Sequence, residues 1–143
     1  MSKYVTICIP LYNCEATISK TLDCLIIQTY KKIKIKTFDN QSTDRNGEIA
    51  LSYSQIYENI EYHLNEINLG DEDNFTKCIL SASGDYTAVF HSDDIYYTEL
   101  IETHVNVFET ESVVAVSCNA HEIDTTESII DERLVPTELT KDI

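Results

Sequence analysis

The sequence predicts an α/β fold in which a mostly parallel sheet is covered by helices on both faces. Short apolar, β-branched runs alternate along the chain with segments whose apolar residues recur at helical spacing. Repetition of strand and helix in this way favours a parallel sheet with crossover helices. A length of 143 residues and a hydrophobic content of 43% are sufficient for one domain with a substantial core.

The first two predicted elements are a strand and an amphipathic helix. Residues 4–9 form an apolar run that we expect to end at Pro10, which cannot donate a hydrogen bond to a sheet. Asn13 is a suitable N-cap for a helix that extends to about Gln28. The apolar positions of this helix fall on one face: Ile18, Leu22, Leu25 and Ile26.

The next two strands are predicted at residues 33–38 and 60–64. Between them, the polar residues 39–44 can cap a helix that extends to about Tyr57. Each strand is thus followed by a helix, and we expect the connections between parallel strands to be right-handed.

The last predicted elements are a helix at 72–82, a strand at 86–90, a helix at 97–109 and a strand at 113–118. Gly84 follows the first of these helices, in a place where glycine commonly ends a helix. The periodicity fades after the last strand, so no further regular element is predicted there.

The composition excludes several classes of protein. The net charge of −15 disfavours nucleic acid as a partner, because phosphate binding needs a basic surface. The chain shows no signal peptide and no membrane-spanning apolar run, so we expect a cytoplasmic protein, with the inner face of the membrane as an alternative location. Five cysteines without C-x-x-C spacing are expected to be free packing residues: Cys8, Cys14, Cys24, Cys78 and Cys118.

Three polar loops directly follow predicted strands. They are Pro10–Asn13, Asp39–Asp44 and His91–Asp94. In open α/β sheets, ligands bind beyond the carboxyl ends of the strands, where the strand order reverses. If the first strand is central in the sheet, these loops meet at one place, and we expect the functional site there.

The third of these loops carries two adjacent carboxylates, Asp93 and Asp94. Such a pair suits a divalent cation that also binds phosphate oxygens, because hard cations take oxygen ligands. The alternative is a solvated loop in which an aspartate caps a helix. The sequence contains only three glycines, Gly47, Gly70 and Gly84, which are too few and too far apart for a glycine-rich phosphate loop. This favours a metal as the partner of any bound phosphate.

Four segments together carry a resemblance to a known family, in matching order and spacing: Val5–Asn13, Phe38–Asp44, Asn68–Gly70 and Gly84–Asp94. Over about residues 3–119 the chain resembles the family 2 glycosyltransferases of the GT-A fold. The resemblance implies a mostly parallel, Rossmann-like sheet, the nucleotide-binding half of that fold.

The resemblance implies nucleotide binding by Pro10, Tyr12, Asp39, Lys77 and Asp93, and metal binding by Asp93 and Asp94. Pro10 and Tyr12 lie in the loop that holds the base in this family, and Asp39 is the acid that pairs with the base. Lys77 stands where the family often has a basic residue near the diphosphate. The implied metal is Mn²⁺ or Mg²⁺. In the family one carboxylate contacts the ribose or the metal and another ligates the metal, and the resemblance does not say which of Asp93 and Asp94 has which role.

Two residues depart from the family pattern. His91 stands where relatives often have the first aspartate of the acidic motif, and Asn40 replaces a frequent second aspartate. His91 could ligate a metal or could simply be hydrogen-bonded. Tyr12 and Phe38 could equally be core aromatics, and Asp39 could be a helix cap.

The implied reaction is an inverting, metal-dependent transfer of a sugar from a nucleotide-diphosphate sugar to a hydroxyl of a carbohydrate or lipid-linked acceptor. A UDP-sugar is the commonest donor in the family. The family's catalytic base lies further along the chain, so we expect it beyond residue 143. We expect 1–119 to be the nucleotide-sugar-binding subdomain and 120–143 to begin the acceptor-side region or to form a loose tail. A truncated sheet of this kind should self-associate through its open edge.

Two other functions are compatible with parts of the pattern. A non-catalytic nucleotide-binding or assembly module could keep the same fold without sugar transfer. A response-regulator receiver also has a parallel sheet and acidic residues that bind Mg²⁺. Its acidic pair follows the first strand, however, where this chain has Pro10–Asn13, and this disfavours a receiver.

Overall fold

The computed structural model describes residues 3–134. Four parallel strands form its main sheet: β1 (Val5–Leu11), β2 (Ile33–Asp39), β3 (Ile60–Leu64) and β4 (Tyr86–Val89). Three helices connect them in sequence: α1 (Ile18–Ile26), α2 (Asn46–Ile56) and α3 (Asp71–Leu80). The prediction of an α/β fold with a mostly parallel sheet is therefore confirmed.

The strand order in this sheet is β3-β2-β1-β4, which makes β1 an interior strand. The chain adds β2 and β3 on one side of β1, and α3 then returns it to place β4 on the other side. The strand order thus reverses at β1. The first strand is therefore central, which meets the condition for the expected meeting of the three polar loops.

The core lies on both faces of β1. Ile7 and Ile9 have no exposed surface and point to one face, while Cys8 points to the other. The Cys8 thiol donates a hydrogen bond of 3.1 Å to the carbonyl oxygen of Cys78, so α3 covers this second face. The helices on the opposite face bury apolar side chains such as Leu22 of α1. Burial on both faces explains the near-continuous apolar run of β1.

Pro10 lies inside β1, and the prediction that the strand ends before it was wrong by two residues. Pairing with β4 stops at Cys8, whose carbonyl oxygen accepts the amide of Phe90. Because alternate residues hydrogen-bond to the same side, Pro10 faces the side on which β4 has already ended. Pairing with β2 continues to Leu11, and no ladder hydrogen bond is lost at the proline.

Two predicted helix signals have other roles in the structure. The first helix begins at Ile18 and not at Asn13, which has a left-handed φ of 47° and bonds to the neighbouring loop. Gly84 does not end α3, which stops at Leu80. A Cβ atom at Gly84 would lie 2.7 Å from the carbonyl oxygen of Tyr4, so glycine allows the chain to approach β1 closely.

The chain divides into two compact units, Met1–Glu102 and Thr103–Ile143, and a fourth helix, α4 (Leu100–Thr110), crosses the division. Everything described so far belongs to the first unit. The assignment of residues 1–119 to nucleotide-sugar binding stays a prediction. Within residues 3–134, no helix is long and apolar enough to span a bilayer.

The second unit differs from the sequence prediction. Residues 113–118 form no strand, and Val114 is 87% exposed. The unit instead contains an antiparallel hairpin of β5 (Ala120–Ile123) and β6 (Ile129–Arg133), which was not predicted. Its turn is held by the Asp124 carboxylate, which accepts hydrogen bonds from the backbone amides of Thr126 (2.7 Å) and Ser128 (3.1 Å).

Candidate functional site

The loop after β1 and the loop after β2 are joined by hydrogen bonds between side chains and backbone amides. Asn13 exchanges two of them: its amide donates to Ser42 Oγ (3.1 Å), and its Oδ1 accepts from the amide of Thr43 (2.8 Å). The left-handed φ of Asn13 makes this exchange possible, and asparagine tolerates that conformation well. We refer to residues 12–15 and 42–46 together as the loop clasp.

Carboxylates on both loops complete the clasp. Asp44 accepts the amide of Glu15 (2.8 Å) and the amide of Asn46 (3.0 Å), one on each oxygen. Glu15 in turn accepts the amide of Arg45 (2.9 Å), and Asn46 Oδ1 accepts the amide of Cys14 (3.2 Å). Because each loop supplies acceptors for the other, neither can change conformation alone.

Asp39 lies beneath the clasp at the end of β2, and its side chain is almost fully buried. Its Oδ1 accepts the amide of Ser42 (2.9 Å) and its Oδ2 accepts the hydroxyl of Tyr62 (2.8 Å). Burial and the neighbouring carboxylate raise the pKa of Tyr62, so this hydroxyl keeps its proton as a donor. A Cβ atom at Gly47 would lie 2.7 Å from Asp39 Oδ2, so α2 packs closely on the pair.

A network of buried amides continues from Asn40 to the start of α3. Asn65 Nδ2 donates to Asn40 Oδ1 (3.0 Å) and to Asn74 Oδ1 (2.8 Å), while Asn65 Oδ1 accepts from Lys77 Nζ (2.8 Å). Asn40 Nδ2 donates to the carbonyl oxygen of Gly70 (3.2 Å). An ionised aspartate could not make this last bond. The bond to Gly70 is thus a physical reason for the departure from the family pattern at Asn40. The bond from Lys77 to Asn65 places Lys77 beside the end of β3.

The segment after β4 carries the acidic pair, and we refer to residues 91–96 as the acidic turn. Asp93 and Asp94 are both exposed. The ring of Tyr96 stacks on Phe90 with centroids 4.1 Å apart, and its hydroxyl lies 3.3 Å from Asp94 Oδ2. The same hydroxyl accepts the amide of His91 (2.9 Å).

Helix α1 connects the clasp to the acidic turn. The hydroxyl of Thr21, a buried residue, lies 3.0 Å from the carbonyl oxygen of Ser92 and 2.9 Å from that of Asp94. At the start of the same helix, the amide of Ile18 donates to the carbonyl oxygen of Cys14 in the clasp (3.0 Å). Burial raises the pKa of the Cys14 thiol. The three polar loops therefore meet at the end of β1, which confirms the convergence expected from the sequence.

The acidic turn suits a metal only in part. Within residues 3–134, no three His, Cys, Asp or Glu side chains are close enough to hold a metal together, so His91 does not complete a ligand set. Two exposed carboxylates are nevertheless hard oxygen donors of the kind that Mg²⁺ and Mn²⁺ use when substrate phosphates supply other ligands. The donor set fits a cation that arrives with, or is completed by, a phosphate group.

The structure separates the two aromatic residues that the sequence left ambiguous. Phe38 is a core residue with 2% exposure, whereas Tyr12 is 48% exposed beside Pro10 at the end of β1. Three residues with evident roles here were not predicted: Thr21, Tyr62 and Tyr96. Thr21 and Tyr62 act through hydroxyls that reach residues far along the sequence, whereas Tyr96 bonds within its own turn. No periodicity or spacing marks any of the three.

Comparisons with known proteins identify the family of the chain and structures that share its fold. The family model described as Glycosyl transferase family 2 matches residues 6–141. The chain is 33% identical over 113 residues to the glycosyltransferase GlyA of Streptococcus pneumoniae, covering 78% of this chain and 16% of GlyA. It is 29% identical over 116 residues to the uncharacterized glycosyltransferase YibD of Escherichia coli, covering 81% of this chain and 33% of YibD. The chain thus spans at most about a third of the length of these two relatives.

Solved structures share the fold. A structure of residues 1–349 of S. aureus TarS in complex with UDP has a TM-score of 0.68 and 23% identity, covering 74% of this chain and 32% of that TarS chain. The mannosyltransferase PcManGT from Pyrobaculum calidifontis, in complex with GDP-Man and Mn²⁺, has a TM-score of 0.75 and 20% identity. The match covers 82% of this chain and 36% of the PcManGT chain. At these identities the likeness concerns the fold.

Proposed function

The chain belongs to glycosyl transferase family 2, and we propose that it binds the nucleotide-diphosphate sugar donor of an inverting, metal-dependent sugar transfer. The donor we propose is a UDP-sugar, and the acceptor is a hydroxyl of a carbohydrate or lipid-linked molecule. The observation that carries this proposal is the meeting of the loop clasp and the acidic turn at β1, where the strand order reverses.

The nucleoside is proposed to lie against the clasp side. The exposed ring of Tyr12 offers a surface for the base, with Pro10 beside it at the end of β1. Asp39 is proposed to accept an N–H of the base. Each of its oxygens accepts one hydrogen bond in this structure, and an ionised carboxylate has about four lone-pair sites, so capacity remains.

The diphosphate is proposed to lie at the acidic turn. Asp93 and Asp94 would hold Mn²⁺ or Mg²⁺, which when bound supplies positive charge to the departing diphosphate. Asp93 is also proposed to contact the nucleotide. Lys77 is proposed to contribute from the β3 side, where one of its three N–H groups is used by Asn65 and the others are available to a phosphate oxygen.

The proposal is tested by calorimetric titration of the purified chain with UDP in the presence of Mn²⁺ and then of chelator. We expect chelator to weaken binding strongly, and the Asp93→Asn/Asp94→Asn variant to bind UDP–Mn²⁺ at least about 10-fold less tightly than the parent chain. A matched control, Glu109→Gln/Glu111→Gln, removes two exposed carboxylates from the second unit and should leave binding unchanged.

Two results would count against the proposal. Absence of UDP binding by a chain shown to be folded would contradict a donor site in this chain. Equal binding with and without chelator would contradict the metal. Metal-dependent binding without sugar transfer by a longer protein carrying this chain would favour a non-catalytic nucleotide-binding module instead.

A second copy of the chain is proposed as a partner, through the open sheet edge that β4 forms in the described part of the chain and through exposed apolar side chains. Helix α3 carries large apolar side chains that are exposed, among them Phe75 (39%), Ile79 (44%) and Leu80 (81%). Exposed apolar side chains of this kind favour association. Sedimentation at increasing concentration tests this, and a monomer at all concentrations would contradict it.

A further inference from the structure

Tyr96 is held in one position by its ring, independently of its hydroxyl. The ring stacks almost parallel on Phe90, with an interplanar angle of 16° and a centroid separation of 4.1 Å. Phe90 is itself 8% exposed and directly follows β4, so the stacked pair is anchored to the end of the sheet. The hydroxyl of Tyr96 is therefore presented at a fixed place inside the acidic turn.

From that place the hydroxyl reaches both ends of the turn. It accepts the amide of His91 at 2.9 Å, and it lies 3.2 Å from the carbonyl oxygen of His91 and 3.3 Å from Asp94 Oδ2. A hydroxyl has one proton to donate, and the ionised carboxylate is the stronger of the two acceptors. The favoured arrangement is an accepted bond from His91 and a donated bond to Asp94.

The backbone of Asp94 is held separately. Its carbonyl oxygen lies 2.9 Å from the hydroxyl of Thr21, which is 1% exposed on α1. Asp94 is thus contacted at its carboxylate by Tyr96 and at its backbone by Thr21. For the adjacent Asp93 carboxylate, the described part of the chain provides no hydrogen-bond partner, so the two aspartates differ in how far they are oriented.

We propose that Tyr96 is a positioning residue that orients the Asp94 carboxylate toward the bound cation and diphosphate. This inference rests on the proposed function. A carboxylate already oriented loses less conformational freedom when it binds a ligand, and outer hydrogen bonds of this type change metal affinity by about 10- to 100-fold in other proteins. Tyr96 touches neither reacting atoms nor metal in this role, and it acts only through Asp94.

The variant Tyr96→Phe tests the inference because it keeps the ring and its stacking on Phe90 while removing only the hydroxyl. We expect the affinity for Mn²⁺ at fixed UDP, followed by the paramagnetic resonance signal of free Mn²⁺, to fall about 10-fold. The melting temperature should stay close to that of the parent chain. Backbone hydrogen exchange at His91 should become faster, because its amide loses its acceptor.

The matched control is Tyr53→Phe. Tyr53 also donates its hydroxyl to a carboxylate, Asp23 Oδ1 at 2.7 Å, but on the outer surfaces of α1 and α2. The substitution Tyr53→Phe removes the same hydroxyl oxygen and the same kind of hydrogen bond as Tyr96→Phe, but at a site outside the acidic turn. We expect the control to leave the affinity for Mn²⁺ unchanged, so that any effect of Tyr96→Phe is attributable to its position.

The outcomes separate this inference from the proposed function. Failure of the parent chain to bind Mn²⁺ with UDP would overturn both. Binding by the parent chain together with an unchanged Mn²⁺ affinity in Tyr96→Phe would overturn the inference alone. A lower melting temperature, together with a fall in metal-free UDP affinity by the same factor as the fall in Mn²⁺ affinity, would also overturn it. The hydroxyl would then only stabilise the turn.

Discussion

The loop clasp and the acidic turn lie at the same end of β1, yet they differ in how much of their geometry is fixed by the protein itself. In the clasp, backbone amides of each loop bond to side chains of the other, above a buried and doubly bonded Asp39. In the acidic turn, Asp93 and Asp94 are exposed, and Tyr96 and Thr21 supply the few contacts that hold the turn.

This difference matches what the two regions are proposed to bind. A nucleoside is recognised by shape and hydrogen-bond direction, which require a site formed in advance. A cation with a diphosphate supplies its own strong charges and can complete a site that is open beforehand. Adjacent carboxylates also repel each other until a cation is bound, so the acidic turn gains little stability from them. The clasp should therefore contribute to folding, whereas the carboxylates of the acidic turn should contribute mainly to binding.

The largest effect is expected from crowding the clasp side with Gly47→Ala. The new Cβ atom would lie 2.7 Å from Asp39 Oδ2 and 2.8 Å from the Tyr62 hydroxyl, so their hydrogen bond must shift or break. We expect the free energy of unfolding to fall by about 1–3 kcal/mol, despite the better helix propensity of alanine. Urea denaturation measures this, and UDP binding should weaken in the same variant.

The control for this variant is Ser52→Ala, an exposed position on the same helix α2. It should change the free energy of unfolding by no more than about 0.5 kcal/mol. If Gly47→Ala were as stable as the parent chain, the Asp39–Tyr62 pair could move freely. The clasp side would then be no more rigid than the acidic turn.

A smaller effect is expected from Asp44→Ala, which removes the carboxylate that accepts the amides of Glu15 and Asn46. Loss of two hydrogen bonds from backbone amides to an ionised carboxylate should lower the free energy of unfolding by about 1–2 kcal/mol. Hydrogen exchange measured by NMR should speed up at these two amides and at the rest of the clasp, because the loops are bonded to each other. The control is Glu48→Ala, whose carboxylate pairs with Arg45 at 3.1 Å on a highly exposed surface and should contribute less than about 1 kcal/mol.

Faster exchange confined to the two amides freed by Asp44→Ala would contradict the picture of a joined clasp. The bonds that Asn13 and Glu15 make between the loops would then persist without Asp44, so the bonds of the clasp would be independent of one another. The exchange rate of the Thr43 amide decides between these outcomes, because this amide donates to Asn13 and not to Asp44. It speeds up only if the bonds of the clasp depend on one another.

Cys14 reports on the same rigidity by its reactivity. Burial raises the pKa of its thiol, so the thiolate is scarce at neutral pH, and alkylation should be about 10-fold slower than at the exposed Cys118 at pH 7.5. The rate at Cys14 should rise by about 10-fold per pH unit while the pH stays below its pKa. Mass spectrometry of iodoacetamide-treated protein measures both rates, and in urea the two should converge. Equal rates in the folded protein would mean that the clasp opens readily.

The parts of the fold that the sequence predicts are those that depend on local pattern. A strand at roughly 60–64 was predicted, and the convergence of the three loops was expected on the condition that β1 is central, which the structure meets. Apolar, β-branched runs between polar loops report burial on both faces, which is a property of the strand itself. The acidic pair was visible for the same reason, because two adjacent carboxylates after such a run need no distant partner to be noticed.

The parts that the sequence did not predict depend on distant partners. Residues 113–118 have the composition of a strand but form none, because a strand also needs a neighbour to pair with, and composition does not specify one. The hairpin of β5 and β6 shows the reverse case, in which a turn held by Asp124 pairs two polar, exposed strands. Tyr62 was missed because its hydroxyl meets Asp39, which lies on another strand, only in the folded chain. Tyr96 was missed for a different reason: its partner Asp94 is close in sequence, but an aromatic residue in a polar loop carries no signal of a role for its hydroxyl.

The smallest effect on stability is expected from Asp93→Ala, and it is the sharpest test of the difference between the two regions. Asp93 is exposed, and within residues 3–134 its carboxylate has no hydrogen-bond partner, so removing it should change the free energy of unfolding by no more than about 0.5 kcal/mol. The same variant should lose most Mn²⁺-dependent UDP binding. Urea denaturation and calorimetry on one preparation measure the two quantities. A stability loss above about 1 kcal/mol would show that Asp93 supports the turn structurally, which a residue kept for ligand binding alone does not do.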